Sequence, residues 1–176
     1  MLAKARAGSA YLPGVRFVLG DFRNFQAGQL FDAAICAFNS INYVGNTAEL
    51  GALFRAVAEH LRPAGRFVFD TTTEAGMKLL NGRYLHVVTK TKERRTEESA
   101  ALLPSGTEIH CRIPLDPKDV EEACNRSGLV VEDYFSSILP GRWYTGGKCF
   151  FVVRKESVTS LVRELGACLP SFSSGA

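Results

Sequence analysis

The chain has 176 residues, of which 46% are hydrophobic and 22% charged, a balance that excludes a disordered segment and favours one soluble globular domain. Its net charge of +3 comes from 21 basic and 18 acidic residues that are dispersed along the chain, so we expect no nucleic-acid partner. No apolar run approaches the about 18 residues of a membrane span, and the first residues are too charged for a secretory signal. A cytoplasmic protein without a membrane partner is therefore expected.

The cysteines and histidines do not have the spacing of a metal site. The five cysteines are widely separated and include no C-x-x-C pair: Cys36, Cys111, Cys124, Cys149 and Cys168. This pattern predicts neither a disulfide framework nor a zinc site, and most of the thiols are expected to be buried apolar side chains in a reducing compartment. His60, His86 and His110 have no partner nucleophile, so we interpret them as structural residues.

Three short apolar runs organise the first half of the chain, after residues 1–7, which resemble the end of a helix. The runs cover residues 15–19, 31–37 and 66–70, and each has a polar side chain at or just after its end, namely Asp21, Asn39 and Asp70. Buried parallel strands deliver polar groups to the carboxyl edge of an open sheet in this way, and ligands bind at that edge. The pattern predicts an α/β fold with a ligand crevice. Asp70 is expected either to face this ligand crevice or to be a solvated strand end.

A helix is predicted between the second and third strands. Asn46 is a suitable N-cap, and Glu49 stands at the third helical position. The apolar residues behind them recur at the spacing of one buried helix face: Leu50, Leu53, Phe54, Val57 and Leu61. The Arg-Pro-Ala-Gly segment at 62–65 ends this helix because proline cannot continue it, which completes a strand, helix, strand unit.

The second half of the chain predicts antiparallel strands around one more helix. The β-rich runs at 84–89 and 107–113 flank a charged stretch at 90–98, which we interpret as a solvated surface within an insertion or cover at 83–113. A helix is predicted from Asp116 and Pro117 to about Arg126. Two closing strands at 129–135 and 148–154 are expected to form an antiparallel pair.

The residues after the first two strands resemble the middle motifs of class I S-adenosylmethionine-dependent methyltransferases of the small-molecule type. Gly20-Asp21-Phe22 follows the first strand, and the run Phe-Asn-Ser-Ile-Asn-Tyr at 38–43 follows the second. The resemblance implies S-adenosylmethionine as the cofactor. It also implies two groups of cofactor contacts. The Asp21 carboxylate and the Phe22 N–H would bind the adenine, and Ala37, Phe38 and Asn39 would bind the methionine part. Taken alone, the Gly20-Asp21 pair favours a turn or helix-capping aspartate, and it is the two later strands at fitting distances that support the cofactor contact.

The resemblance also implies residues on the side of the methyl acceptor, a small molecule. Asn42 and Tyr43 would orient the acceptor, and Trp143 and Tyr144 on the closing hairpin would contact it. A polar turn that caps the next helix, and aromatic packing on the hairpin, are the structural alternatives. No catalytic general base is assigned, because methyl transfer from a sulfonium requires an oriented, desolvated acceptor more than a strong base.

The earlier motifs of the family are absent, namely the G-x-G-x-G loop and the acid that binds the ribose. We therefore expect an incomplete Rossmann-like methyltransferase fold over residues 1–155, with 156–176 as a tail. It would have a mostly parallel sheet, an antiparallel carboxyl-terminal strand pair and the small β-rich insertion. In the family strand order 3-2-1-4-5-7-6, two strands would be missing between the first two strands of this chain. The strand at 15–19 is expected either to pair directly with 31–37 or to dock as a poorly supported edge.

Two other classes of protein remain open. A non-catalytic methyltransferase-like fragment, or a subunit whose sheet is completed by a protein partner or by self-association, is favoured by the exposed edge that missing strands would leave. A nicotinamide-dependent doubly wound enzyme is the second class, and the absence of a glycine-rich loop and of a Tyr-x-x-x-Lys pair argues against it.

Overall fold

A computed structural model describes residues 2–9, 12–74, 76–77, 85–91, 94–103, 106–136 and 148–157, with the backbone alone described within 85–110. These residues include helices α1 (Leu2–Gly8), α2 (Thr47–His60) and α3 (Pro117–Asn125), and a short 3-10 helix at Ser40–Tyr43. The strands in chain order are β1 (Phe31–Cys36), β2 (Leu61–Thr72), β3 (Leu85–Thr91), β4 (Arg94–Leu103), β5 (Gly106–Arg112), β6 (Leu129–Phe135) and β7 (Lys148–Lys155). None of the described helices has the length and apolar character needed to cross a membrane.

The main sheet has the strand order β1-β2-β7-β6. β1 and β2 are parallel, whereas β7 is antiparallel to both of its neighbours. The α/β class and the antiparallel closing pair predicted from the sequence are therefore confirmed. The parallel pairing brings the carboxyl ends of β1 and β2 to the same edge of the sheet, which is the edge where open α/β sheets bind ligands.

The strand predicted at residues 15–19 does not form, and this prediction is wrong in both of its versions. The segment has no regular structure, and Val18 and Leu19 are exposed, Leu19 to 84%. A strand exists only where its backbone groups find a ladder partner, and among the described residues β1 pairs with β2 alone. The described backbone of 15–19 forms no strand ladder, and the Phe17 carbonyl oxygen accepts a 3.3 Å hydrogen bond from the Arg6 side chain instead.

Helix α2 forms as its cap and its periodicity predict. The Asn46 side-chain oxygen accepts a 2.9 Å hydrogen bond from the Glu49 N–H, which satisfies one of the free donors at the helix start. All five residues of the predicted apolar face are buried: Leu50, Leu53, Phe54, Val57 and Leu61. The helix ends at His60, slightly earlier than the proline requires.

The 62–65 segment lies within β2 as an irregular bulge rather than between helix and strand. Phe31 is opposite Leu61, but Ala33 is opposite Arg66, so the bulge adds residues to β2 only. Ala64 has a left-handed backbone with φ 63, and a Cβ on Gly65 would lie 2.9 Å from the Arg62 carbonyl oxygen. The bulge therefore requires the absence of a side chain at position 65.

The core lies between the main sheet and the helices α2 and α3. Its centre is a set of aromatic rings, in which Phe54 of α2 meets Phe67 and Phe69 of β2 with ring centroids 5.9 and 5.6 Å apart. Phe151 of β7 stacks on Phe69 at 5.1 Å. Alternate residues of β2 and β7 point to this face because side chains in a strand alternate. The rings fix α2 against the strands that carry the ligand edge.

A second sheet is an antiparallel meander with the order β3-β4-β5. The described strands therefore confirm that this part of the chain is β-rich, while its bounds as an insertion or cover at 83–113 stay a prediction. The charged stretch at 90–98 was expected to lie between strands, but residues 94–98 form the first half of β4. The register places Ser99 of β4 opposite both His86 of β3 and His110 of β5, so β4 lies between the two histidine positions.

Candidate functional site

The candidate site is the corner formed by the carboxyl ends of β1 and β2. Asp70 lies near the end of β2 and is only 6% exposed. Its Oδ1 accepts a 3.1 Å hydrogen bond from the backbone N–H of Asn39, and its Oδ2 lies 3.1 Å from the Lys148 Nζ. Asp70 thus joins the turn after β1 to the first residue of β7. A buried carboxylate paired with a cation and an N–H is stable because both partners compensate its lost hydration.

The turn that leaves β1 has an unusual backbone. Phe38 and Asn39 are both left-handed, with φ 61 and φ 56, although neither is glycine. Each such residue costs about 1 kcal/mol or more and persists only where surrounding contacts hold it. The turn is closed locally by the Ser40 hydroxyl, which donates to the Ala37 carbonyl oxygen at 2.7 Å. Strain of this kind concentrates at ligand-binding turns.

The two side chains of this turn differ in solvent exposure. Phe38 is 90% exposed, which is rare for a phenylalanine. The side-chain oxygen of Asn39 is buried and has no hydrogen-bond partner in the described part of the chain. A buried oxygen without a donor is costly in a folded protein, so this atom is a good candidate for a ligand N–H.

Cys36 lies at the end of β1 beside the same corner. Burial and, to a smaller extent, the negative charge of Asp70 raise the pKa of its thiol to about 11, although a hydrogen bond from the Ile41 N–H acts in the opposite direction. The thiol is therefore protonated at neutral pH and is a poor nucleophile. Within the described residues, no group of three His, Cys, Asp or Glu side chains could hold a metal ion.

Asn42 holds the floor of the corner together. It is fully buried, and its side-chain NH₂ donates to the carbonyl oxygens of Thr72 and Ile113 at 2.9 and 2.8 Å. Its side-chain oxygen accepts from the Thr72 N–H at 2.9 Å. The amide thus connects the 3-10 helix, the end of β2 and the segment after β5, which gives it a structural role. Contact of Asn42 with an acceptor stays a prediction, as does that of the exposed Tyr43.

Asp21 is bound by Arg23 instead of being open. The Nε of Arg23 lies 2.9 Å from Oδ1 of Asp21, and its Nη2 lies 2.5 Å from Oδ2. The Arg23 Nη1 also donates to Glu49 at 2.9 Å, which ties the 21–23 turn to the first turn of α2. The hydrogen bonds from Arg23 lower the pKa of Asp21 to about 2. Arg23 is not among the site residues predicted from the sequence, although its position two residues after Asp21 is a usable signal.

Phe22 and His60 anchor the same loop to the core. Phe22 is half-buried and packs against the core, next to Phe25. The buried His60 ring lies 4.6 Å from the Phe25 ring, and its Nε2 accepts from the Ala27 N–H at 3.0 Å. His60 Nδ1 is 2.7 Å from the Ala56 carbonyl oxygen, so that nitrogen carries the proton. His60 therefore has the structural role that was predicted for it.

The structure brings Ala37, Phe38 and Asn39 together with Asp70 at one corner. It connects Asp21 to α2 through Arg23 and packs Phe22 against the core. Lys148 is a second residue that the sequence did not reveal. Its proximity to Asp70 depends on the β2 and β7 register, in which Lys148 is opposite Thr72. Trp143 and Tyr144, the predicted acceptor contacts on the hairpin, lie outside the described residues.

Comparison with known proteins identifies the fold. No protein-family model matches the chain. A methyltransferase structure from Clostridium acetobutylicum ATCC 824, described as S-adenosylmethionine-dependent, is 18% identical and has a TM-score of 0.67; the match covers 89% of this chain and 71% of that one. CalS10, an amino pentose methyltransferase of Micromonospora echinaspora solved with S-adenosylmethionine bound, is 22% identical with a TM-score of 0.59, over 88% of this chain and 71% of that one.

A curated relative is similar in sequence over a shorter stretch. It is a dTDP-3-amino-3,4,6-trideoxy-alpha-D-glucopyranose N,N-dimethyltransferase of Streptomyces venezuelae, 41% identical over 59 residues. That stretch is 34% of this chain, and the chain spans a quarter of the length of the relative. The chain therefore has the fold of these S-adenosylmethionine-dependent methyltransferases over about 71% of the length of the two solved structures. This confirms the resemblance in fold that the sequence indicated.

Proposed function

We propose that this chain carries part of a methyltransferase site that binds S-adenosylmethionine and acts on a small molecule, an amino sugar being the favoured class. The observation that carries the proposal is the corner at the ends of β1 and β2, where the strained Phe38–Asn39 turn and a buried, unpaired amide oxygen meet. The amino-sugar class is supported by the relatives, since two of those named above act on amino sugars by their descriptions.

The residues present fit such a cofactor at the turn after β1. The Asn39 side-chain oxygen would accept a hydrogen bond from an ammonium or N–H group of the ligand, which would end its unpaired state. The exposed Phe38 ring would cover an apolar part of the ligand. Asp21 could accept from an exocyclic amine if the ligand displaces at least one donor of Arg23. When bound, S-adenosylmethionine supplies an electrophilic methyl group on a sulfonium.

The remaining task of the chain is to orient an acceptor amine, and Tyr43 is the exposed polar side chain next to the turn that could do so. An amine nucleophile needs correct alignment and a dry environment more than it needs a base. Asp70 and Asn42 would keep the wall of the crevice rigid, because both are buried and fully hydrogen-bonded. No side chain of the corner is assigned as a general base.

Calorimetric titration of the chain with S-adenosylhomocysteine, S-adenosylmethionine and NAD tests the proposal. We expect one saturable site for the first two ligands and none for NAD. A matched pair of variants locates the site: Asn39→Ala should weaken S-adenosylhomocysteine binding, whereas Asn24→Ala, on an exposed asparagine, should leave it unchanged. Absence of binding to both sulfur ligands would exclude the methyltransferase proposal for this chain, and selective binding of NAD would favour the nicotinamide class.

A second candidate function is that of a subunit whose main sheet is completed by another polypeptide. The observation in its favour is the free edge of β1, which among the described residues pairs only with β2. Ile35 on that strand is 76% exposed, and Phe38 just after the strand is 90% exposed. An open edge without Lys or Pro, flanked by apolar side chains, is a template for strand addition.

Light scattering after gel filtration separates the two candidates. If the edge recruits a second copy, the chain should elute as a dimer or larger, and Ile35→Lys should return it to a monomer. The control is Asp32→Asn on the same strand, which changes the charge, adds no lysine and leaves the apolar surface in place. A wild-type chain that is monomeric and binds S-adenosylhomocysteine would exclude self-association as a condition for function.

A further inference from the structure

We propose that Asp70 is a positioning residue for the ligand edge. Its side chain holds the Phe38–Asn39 turn and Lys148 in one arrangement and does not touch the ligand itself. The inference rests on the proposed function, because it takes the turn after β1 as a ligand contact. It assigns a role to a side chain that the sequence left open between the crevice and a solvated strand end.

The first step is the placement of the carboxylate. Asp70 is 6% exposed, so it cannot be a solvated strand end. Each of its oxygens is used by a different segment, with Oδ1 accepting from the Asn39 N–H and Oδ2 facing Lys148, both at 3.1 Å. A short, rigid side chain of this kind sets the distance between the two segments that it joins.

The second step is the backbone of the turn. Two consecutive left-handed residues, Phe38 and Asn39, do not persist without external support. The other hydrogen bonds of this turn are local, from Ser40 to Ala37 and from the Asn42 N–H to the Asn39 carbonyl oxygen. The bond from the Asn39 N–H to Asp70 ties the turn to another strand. Asp70 therefore links the turn itself to β2, next to the link that Asn42 makes between the following 3-10 helix and Thr72.

The third step is charge. The buried Asp70 carboxylate needs a cation, and Lys148 provides one while its own side chain stays 40% exposed. Lys148 is the first residue of β7, so the ion pair also fixes where that strand begins relative to the turn. Losing the Asp70 side chain would remove the link between the turn and Lys148, whereas losing the lysine would leave a buried charge without its cation.

Variants at Asp70 test the inference. Asp70→Ala removes both contacts, while Asp70→Asn keeps a side-chain oxygen that can accept from the Asn39 N–H. We expect Asp70→Ala to weaken S-adenosylhomocysteine binding about tenfold and to accelerate hydrogen exchange at the Asn39 amide, because a displaced turn misplaces its ligand contacts. We expect Asp70→Asn to restore the slow exchange and most of the affinity. Asp32→Ala and Asp32→Asn are the matched controls, since they break an exposed ion pair with Arg62 on the neighbouring strand.

The outcomes separate this inference from the proposed function. If the wild-type chain does not bind S-adenosylhomocysteine, the proposed function fails, and exchange at the Asn39 amide still decides the role of Asp70. Unchanged exchange in a folded Asp70→Ala chain would overturn the inference whatever the ligand result. If Asp70→Ala does not fold, Asp70→Leu and Asp70→Asn are compared by the same two measurements, and equal exchange in both would also overturn it.

Discussion

The Arg23 guanidinium binds the Asp21 carboxylate through two nitrogens, with its Nε 2.9 Å from Oδ1 and its Nη2 2.5 Å from Oδ2. The backbone N–H of Arg23 also donates to the same carboxylate at 2.9 Å. The Asp21 carboxylate, which was expected to bind the adenine, therefore already accepts hydrogen bonds from Arg23, two residues further along the chain. A ligand amine can reach Asp21 only in competition with this guanidinium.

Removal of Arg23 should therefore strengthen cofactor binding. In Arg23→Gln the carboxylate loses most of its donors, so an incoming amine displaces fewer hydrogen bonds. We expect S-adenosylhomocysteine to bind about fivefold more tightly, which corresponds to the about 1 kcal/mol net value of one hydrogen bond. Calorimetric titration measures the change, with Arg62→Gln, from an exposed ion pair, as the control. Equal or weaker binding in Arg23→Gln would show that Asp21 holds the loop and not the ligand.

The same ion pair predicts a pH dependence at the acid end. Hydrogen bonds from Arg23 lower the pKa of Asp21 from 3.8 to about 2 in the folded chain. A lowered pKa means that the contact contributes stability above about pH 4 and loses that contribution as the pH falls toward 2. A carboxyl carbon NMR titration should show a midpoint near 2 in the wild type and near the ordinary value in Arg23→Gln. A midpoint near 4 in the wild type would mean that the pair does not persist in solution.

Asn42 should be among the most sensitive polar positions. Asn42→Ala leaves the Thr72 N–H and the Ile113 carbonyl oxygen buried with one partner fewer. We expect a loss of about 3 kcal/mol in the free energy of unfolding, measured by urea denaturation, because each buried unpaired group costs about 1–3 kcal/mol. Asn24→Ala serves as the exposed control and should change stability by less than about 0.5 kcal/mol. A small effect of Asn42→Ala would indicate that water replaces the amide.

The thiols should differ sharply in reactivity. Burial raises the pKa of Cys36 to about 11 and that of Cys124 to about 12, and it raises the pKa of Cys149 as well. Cys111 is exposed. With iodoacetamide at pH 8, peptide mass mapping should find Cys111 alkylated well before the other three. Rapid alkylation of Cys36 in the folded chain would contradict the buried corner at the end of β1.

Two glycine substitutions should have opposite signs. Gly65→Ala places a Cβ 2.9 Å from the Arg62 carbonyl oxygen and 3.1 Å from that of Asp32, and we expect a loss of about 1–3 kcal/mol. Gly51→Ala in α2 meets only the flexible end of Arg55 at 3.4 Å, and we expect a gain of about 0.5–1 kcal/mol. Thermal unfolding of both variants measures the difference. Equal effects would mean that the β2 bulge adapts to a side chain.

Several elements followed from local patterns in the sequence. The cap at Asn46 and the apolar spacing behind it predicted α2, and Asp116 with Pro117 predicted α3, because helix hydrogen bonds join residues close in sequence. The closing strands β6 and β7 matched their predictions in type and position. The polar residues after β1 and β2 were also recognised as a shared edge.

Only the tertiary structure decided which apolar runs become strands and which polar groups become partners. Residues 15–19 are as apolar as β1, but a strand needs a neighbour to take its hydrogen bonds, and no pattern within the run reveals whether that neighbour is present. Asp70 and Lys148 are 78 residues apart and meet only through the β2 and β7 register. Local sequence thus determined the helices, the closing strands and the polar strand ends, while long-range pairing determined the sheet edge and the contacts that shape the candidate site.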